Sequence, residues 1–197
     1  MKSSLHNEFF RRLPAQPSGL QRNALFLALL SDEMEARGYQ RPVAVGGFAV
    51  EAYTQGRFMS MDIDLVGNRD GIVAVLRDLG FASNDGRNWM STQFDIHIDI
   101  QGGAVNIPGG DARITAVEAA DGCTINMVSI TDIVADRISA CACGHKDSGI
   151  QARAILQAWS DHIDFGVLRD VCRQENAVAE CENIIRLALA DQREQKP

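Results

Sequence analysis

Two aspartates one residue apart, Asp62 and Asp64, are the residues of this chain best suited to do chemistry. They lie in an apolar segment, residues 61–66, which favours a β-strand. Side chains at positions i and i+2 of a strand share a face, so both carboxylates are expected to project together. Like charges held this close are unfavourable unless a cation lies between them. The spacing therefore predicts a metal site, and Mg²⁺, which prefers carboxylate oxygens and accompanies phosphates, is the simplest candidate.

A diglycine precedes the acidic pair at the end of another apolar run. The predicted order is a buried strand over 43–45, a tight turn at Gly46 and Gly47, and a helix that starts over 48–53. Without side chains, the glycine backbone can approach a phosphate closely, and N–H groups at the helix start can point at it. An ordinary strand-to-helix turn is the alternative. Because Asp-x-Asp follows about fifteen residues later, the diglycine favours a nucleotide site.

This pattern resembles the nucleotidyltransferase superfamily, whose signature is a Gly-Gly or Gly-Ser turn, a short helix and Asp-x-Asp on the next strand. Ser60 keeps the hydroxyl that the family usually supplies as Thr just before the acids. The resemblance covers about residues 20–160, is strong over 43–66, and is closest to a bacterial branch of uncharacterised and toxin–antitoxin-type members. The signature positions are Gly46, Gly47, Asp62 and Asp64.

The resemblance implies a DNA polymerase beta-like fold and an enzyme. Such an enzyme uses Mg²⁺, or Mn²⁺, to move a nucleoside monophosphate from an NTP to a hydroxyl on a protein, an RNA or a small molecule. The alternative is a catalytically silent member of the fold, kept as a binding or regulatory partner, for example in a toxin–antitoxin pair. The intact Asp62–Asp64 pair favours the enzyme, because a binding partner need not keep like charges adjacent.

The chemistry that the resemblance implies needs a third carboxylate on a neighbouring strand. Residues 94–100 alternate strictly, with apolar side chains on one face and Asp95, His97 and Asp99 on the other. The resemblance makes Asp99 the first choice as third ligand, because similar proteins often have an acid near the end of this strand, and Asp95 is the alternative. Asp99 could also accept the proton of the acceptor hydroxyl. His97 is expected beside the metal or exposed. An ordinary solvated strand face is the competing interpretation.

The remaining nucleotide contacts are predicted from basic residues and a hydroxyl. Arg57, in the link before the acidic strand, could bind a phosphate bidentately or pair with a surface acid. Lys146 lies where the resemblance places a basic residue near the triphosphate, and Arg137 fits an ordinary helix ion pair equally well. Ser60 could bond to phosphate or orient Asp62. The predicted nucleotide-binding set is Gly46, Gly47, Ser60, Arg57 and Lys146.

The composition limits the possible partners. A chain of 197 residues with 46% hydrophobic and 23% charged residues is typical of a globular protein, and it contains no apolar run long enough to cross a membrane. A net charge of −7 argues against an extensive nucleic-acid surface. The N-terminus lacks a basic-then-apolar signal, which predicts a cytoplasmic location. The expected partners are an NTP, an acceptor the sequence does not identify and, in the toxin–antitoxin interpretation, a cognate protein.

Five cysteines, an odd number, are expected to be free thiols. Cys141, Cys143 and His145 suggest zinc, but their spacing matches no common paired-ligand pattern and a second pair is missing. Small thiols at a helix–turn junction are the preferred interpretation.

The order of elements predicts an α+β fold: a small mixed sheet of nucleotidyltransferase type flanked by helices, with a helical C-terminal part. Residues 1–130 are expected to form the core with N-terminal helices, and residues 131–197 a helical region packed on it. Asp132 is placed to cap the helix that follows Ser129. Helices are expected over 4–12, from 17 or 18 to 37, and over 69–79, 129–143, 149–159, 164–173 and 177–191. Strands are expected over 43–45, 61–66, 94–100 and 124–128, with short ones at 81–82 and 89–90 and Gly-rich loops at 102–103 and 109–110.

Overall fold

The predicted α+β architecture is confirmed by the computed structural model, which describes residues 4–13, 19–102, 106–107, 110–111, 113–119 and 122–194. Within these residues lie a six-stranded mixed sheet, a two-stranded ribbon and a helical C-terminal part. The helices are α1 (Ser4–Arg12), α2 (Leu20–Ala36), α3 (Gly46–Tyr53), α4 (Arg69–Asp78), α5 (Ile130–Ala142), α6 (Lys146–Trp159), α7 (Phe165–Gln174) and α8 (Val178–Glu194). The strands are β1 (Val43–Ala44), β2 (Ile63–Val66), β3 (Asn88–Ser91), β4 (Ile96–Gly102), β5 (Asn106–Ile107), β6 (Gly110–Asp111), β7 (Ile114–Glu118) and β8 (Thr124–Val128).

The six-stranded sheet has the order β3-β4-β2-β1-β8-β7. Strand β2 is antiparallel to β1 and parallel to β4, while β4 is antiparallel to β3 and β1 is parallel to β8. The register of the parallel pair sets Asp64 of β2 beside Asp99 of β4. Two segments far apart in the sequence thus meet at the acidic positions.

The chain divides into two compact units. The first comprises Met1–Glu51, Met59–Val105 and Ile114–Met127, and the second comprises Ala52–Phe58, Asn106–Arg113 and Val128–Pro197. The division into domains at residues 130 and 131 stays a prediction.

In the first unit, a row of aromatic rings supports the hairpin that carries Asp99. Phe26 of α2 packs edge-on against Phe9 of α1 with ring centres 5.7 Å apart, and lies 5.4 Å from Phe81. The Phe81 ring in turn stacks on Phe94 at 6.1 Å. Phe94 lies two residues before β4, and Phe81 precedes Ala82, which bridges to Met90 of β3. Burial of these rings therefore anchors both strands to the N-terminal helices.

The second unit is built from α5 to α8. The Ser129 hydroxyl caps α5 by accepting from the Asp132 N–H at 3.2 Å. Asp132 was expected to provide the cap, but its buried carboxylate accepts the Arg113 N–H (2.9 Å) and pairs with the Arg113 guanidinium. A tertiary partner was available, and a charged pair is stronger than a local cap. No helix in the described part of the chain is long and apolar enough to span a membrane.

Two predicted strands begin later than expected, and each shift leaves an acidic residue outside its strand. Strand β2 starts at Ile63, so Asp62 precedes it, and β4 starts at Ile96 because Asp95 turns at φ 52°. The expected strand at 81–82 is only an isolated bridge between Ala82 and Met90.

Three short strands were not predicted. β7 is exposed along most of its length, so its side chains show no buried and solvated alternation that could have signalled a strand. β5 and β6 form a ribbon of two residues each, and Gly110, expected in a loop, opens β6. Gly103 and Gly109 lie outside the described residues.

Candidate functional site

Three carboxylates converge in the first unit. Oxygens of Asp62, Asp64 and Asp99 lie within 4.8 Å of one another, and within the described ranges this is the group of acidic, His or Cys side chains close enough to share a metal ion. Asp64 and Asp99 are buried, and Asp62 is partly buried. Strand register brings the two buried acids together, and Asp62 joins them from the residue before β2.

Asp64 accepts two hydrogen bonds through its carboxylate. Its Oδ2 accepts the Gly47 N–H at 2.7 Å, and its Oδ1 accepts from Gln101 Nε2 at 2.9 Å. Burial raises the pKa of Asp64; the bonds from Gln101 and Gly47 oppose this rise, and the charges of Asp62 and Asp99 add to it. A nearby positive charge would stabilise the ionised form of Asp64 and oppose this rise in its pKa.

The diglycine is shaped around Asp64. Gly46 opens α3 with φ 55°, and a Cβ on it would lie 2.4 Å from Asp64 Oδ2. A Cβ on Gly47 would lie 2.6 Å from Ser60 Oγ. Helix α3 begins at Gly46, earlier than the predicted Phe48, and the Gly47 N–H in its first turn donates to the carboxylate. The sequence linked these glycines to phosphate; the structure shows that both also make room for acidic-site side chains.

Ser60 lies beside Asp62, as one of its two predicted roles requires, and its contact with phosphate stays a prediction. Its Oγ donates to Asp62 Oδ1 at 3.4 Å, a long bond that sets the direction of the carboxylate. Its own N–H donates to Glu51 Oε2 at 3.1 Å. Glu51 is 3% exposed. The sequence did not single it out, because a glutamate in a helix is usually exposed.

Arg87 and Gln101 are the residues that sequence reasoning missed. Arg87 binds both oxygens of Asp99, through Nε at 2.7 Å and Nη2 at 2.8 Å. Gln101 Nε2 donates to Asp99 Oδ2 at 2.7 Å as well as to Asp64, and its Oε1 accepts from Arg87 Nη2 at 3.0 Å. Gln101 follows Asp99 by two residues and shares its face, which was a usable signal. Arg87 had none, because its pairing depends on the antiparallel register of β3 and β4.

The other acid and the histidine of the predicted polar face separate in the structure. Asp95 is exposed in the turn before β4 and is not part of the acidic cluster. His97 is exposed and, with Asp62, lines a cavity of about 290 Å³. The cavity is bounded by β3, β4 and the 82–85 turn, with Trp89 and Met90 among its apolar walls.

Arg57 and Lys146 belong to the second unit, and their contact with nucleotide stays a prediction. The Arg57 guanidinium lies 5.5 Å from the Phe58 ring centre and lines a cavity of about 280 Å³ with Tyr53 and Trp159. Lys146 is exposed at the first residue of α6. Arg137 pairs with its neighbour Asp136, which agrees with the ordinary ion-pair interpretation.

The cysteines are free, as predicted. Cys141, Cys143 and His145 form no metal-binding group among the residues with described positions. Cys141 packs against Gly149, where a Cβ would approach its sulfur to 2.7 Å, so this thiol fills a junction between α5 and α6.

Comparison with known proteins establishes the fold. No protein-family model and no curated protein matches the sequence. An antigenic nucleotidyltransferase-like protein from Paracoccidioides brasiliensis superposes with a TM-score of 0.59 at 12% identity, over 89% of this chain and 95% of that one. ANT(2″)-Ia, solved in complex with adenylyl-2″-tobramycin, superposes with a TM-score of 0.52 at 15% identity, over 78% of this chain and 97% of that one. The chain therefore has a nucleotidyltransferase-like fold.

Proposed function

We propose that this protein is a metal-dependent nucleotidyltransferase that moves a nucleoside monophosphate from an NTP to a hydroxyl acceptor. The observation that carries the proposal is the convergence of Asp62, Asp64 and Asp99 on a nucleotidyltransferase-like fold. A cytoplasmic location and membership of a toxin–antitoxin-type branch stay predictions.

The acidic cluster fits a hard divalent cation. All three donors are carboxylates, the ligands that Mg²⁺ and Mn²⁺ prefer over the nitrogen and sulfur ligands that select zinc. Two of the three are buried, and burial raises the pKa of Asp64, so a cation would relieve a repulsion that the fold maintains. Asp62, Asp64 and Asp99 would hold the metal, which supplies stabilisation of the charge that develops during phosphoryl transfer.

The residues around the cluster hold its carboxylates in place. Gly46 keeps the side of Asp64 that faces α3 free of side-chain atoms, and the Gly47 N–H fixes the carboxylate. Ser60 directs Asp62. In the proposal, Arg57 and Lys146 bind the triphosphate. The cavity beside Asp62 gives an acceptor access to the acidic cluster, with Asp99 taking the hydroxyl proton.

The test is thermal melting with Mg²⁺ and each NTP at millimolar concentration, followed by labelling of cell extract with radiolabelled NTP. We expect at least one Mg²⁺–NTP pair to raise the Tm, because a ligand at about 100 times its Kd stabilises the fold by about 2.7 kcal/mol. Label is expected in a protein, an RNA or a small molecule, which would identify the acceptor. A Tm unmoved by every pair contradicts the proposal.

Asp99→Asn and Asp95→Asn separate the two predicted choices of third ligand. Asp99→Asn is expected to lower the transfer rate by about a hundredfold or more, since a ligand charge is lost. Asp95→Asn is expected to change it less than about twofold, because Asp95 is exposed and Asn also tolerates its positive φ. Single-turnover kinetics with saturating Mg²⁺–NTP measures both, and the reverse ranking would assign the third ligand to Asp95.

A silent binding or regulatory partner is the second candidate. The observation that favours it is Arg87, which already neutralises Asp99 through both oxygens. In a member of the fold that no longer bound metal, such a pair would take the place of the cation in offsetting the charge of Asp99. The melting experiment decides between the candidates, because a silent member would show no Mg²⁺–NTP stabilisation.

A further inference from the structure

The acidic cluster contains its own cation. The Arg87 guanidinium makes a two-pronged bond to Asp99, and its Nη2 also reaches Gln101 Oε1 at 3.0 Å. Gln101 in turn joins Asp99 to Asp64. The positive charge of Arg87 thus offsets part of the repulsion among the three carboxylates. It pairs with Asp99, which a bound metal would also use as a ligand.

In the Arg87–Asp99 pair, the arginine side chain is free to move toward solvent, whereas the aspartate side chain is buried. The Arg87 side chain is 53% exposed, whereas that of Asp99 is 11% exposed. The Arg87 backbone is anchored separately, since its N–H donates to Asp85 Oδ1 at 2.8 Å and its carbonyl accepts from the Ile100 N–H at 3.1 Å. The guanidinium can therefore swing toward solvent while β3 and β4 keep their register.

We propose that Arg87 couples metal binding to nucleotide binding: it pairs with Asp99 before a metal binds, yields Asp99 to the metal, and then binds the phosphates of the nucleotide. This rests on the proposed function. A divalent cation and a guanidinium compete for the same oxygens and repel each other, so Arg87 weakens binding of metal alone. Once released, the planar guanidinium has a matching partner in a phosphate, so it strengthens binding of the anion that arrives with the metal.

The test is to measure Mn²⁺ alone, by the electron paramagnetic resonance signal of the free ion, with wild type, Arg87→Gln and Arg87→Lys. Arg87→Gln is expected to tighten Mn²⁺ binding about tenfold, because a charge-assisted bond no longer has to be broken. Arg87→Lys should lie between, since it keeps the charge without the fork. Arg11→Gln removes the same charge from a surface pair with Glu8 and should change nothing, which excludes an effect of net charge.

Two further measurements make the assignment specific. In an Asp99→Asn background, Arg87→Gln should no longer tighten Mn²⁺ binding, because the competition is for Asp99. With Mn²⁺ saturating, inorganic tripolyphosphate measured by calorimetry should bind Arg87→Gln about tenfold more weakly than wild type. A structural role alone would not move the two affinities in opposite directions.

The proposal is overturned if Arg87→Gln leaves the Mn²⁺ affinity unchanged, if the tightening persists without Asp99, or if tripolyphosphate binds equally well. These outcomes are separate from the fate of the transferase assignment. If the wild type transfers nucleotide but Arg87→Gln shows neither shift in affinity, the transferase assignment stands and the coupling is rejected. If Arg87→Gln shifts the Mn²⁺ and tripolyphosphate affinities in opposite directions but the wild type labels no acceptor, the coupling stands and the transferase assignment is rejected.

Discussion

Asp64→Asn is expected to lower the rate of nucleotidyl transfer by about a thousandfold or more while leaving the fold intact. Asp64 belongs to the acidic cluster, so its charge contributes to binding any cation held there. A thousandfold loss of rate corresponds to about 4 kcal/mol of transition-state stabilisation, at about 1.36 kcal/mol per tenfold. Rapid-quench kinetics with Mg²⁺ and the NTP that shifts the Tm measures the rate. A variant that retains a tenth of the wild-type rate would show that the site is elsewhere.

The same variant has a signature in stability that needs no substrate. The pKa of Asp64 is raised in the folded protein by burial, so this group stabilises the fold most at pH below its unfolded pKa, near 3.9, and loses that contribution as pH rises through the raised folded pKa. Asn carries no charge and avoids the loss. Without metal, Asp64→Asn is expected to match or exceed the wild-type free energy of unfolding at pH 7, and the difference should shrink as pH falls.

Urea denaturation across pH measures this difference. Asp70→Asn, an exposed acid in the first turn of α4, serves as a control and should show no such pH dependence. With saturating Mg²⁺ the order reverses, because only the wild-type carboxylate gains from the ion.

Gly46→Ala is the second variant with a large expected effect. The residue has φ 55°, and its new Cβ would meet Asp64 Oδ2 at 2.4 Å, so Asp64 must move. We expect a loss of about 2–4 kcal/mol in the free energy of unfolding, from the backbone conformation and the overlap together. We also expect Mn²⁺ affinity to fall at least about tenfold, since displacing Asp64 disturbs the ligand geometry.

Gly38→Ala is the matched control. Gly38 has φ 81° and open space around its Cβ position, so Ala there introduces the backbone strain without the clash. It should cost about 1–2 kcal/mol and leave Mn²⁺ affinity unchanged. Calorimetry for metal and urea denaturation for stability give both quantities. Equal Mn²⁺ affinities for the two variants would mean that Gly46 serves the turn alone.

Much of the fold could be predicted because its signals are local. The helices show apolar residues at helical spacing, and β8 is evident in a few consecutive residues. The failures also have local causes. β7 is exposed, so its sequence shows no alternation of buried and solvated side chains. The sequence alternates without a break through Asp95, although the backbone turns there and β4 starts only after it.

The acidic pair could be predicted from two residues and their spacing, although Asp62 precedes the strand on which it was placed. Each carboxylate of the pair has its own contact, Asp62 with the Ser60 hydroxyl and Asp64 with the Gly47 N–H. Those contacts depend on how the segment 46–60 returns to β2, which periodicity does not report.

The sequence by itself determined the diglycine, the Asp-x-Asp pair and the α+β class, because residue chemistry and short-range periodicity are written in consecutive positions. Tertiary structure alone decided that Asp99 rather than Asp95 joins the cluster, and that Arg87 and Gln101 hold Asp99. The physical reason is strand register. Which residues face each other across β2, β4 and β3 is set by the packing of whole strands, and a shift of one residue would exchange the two faces.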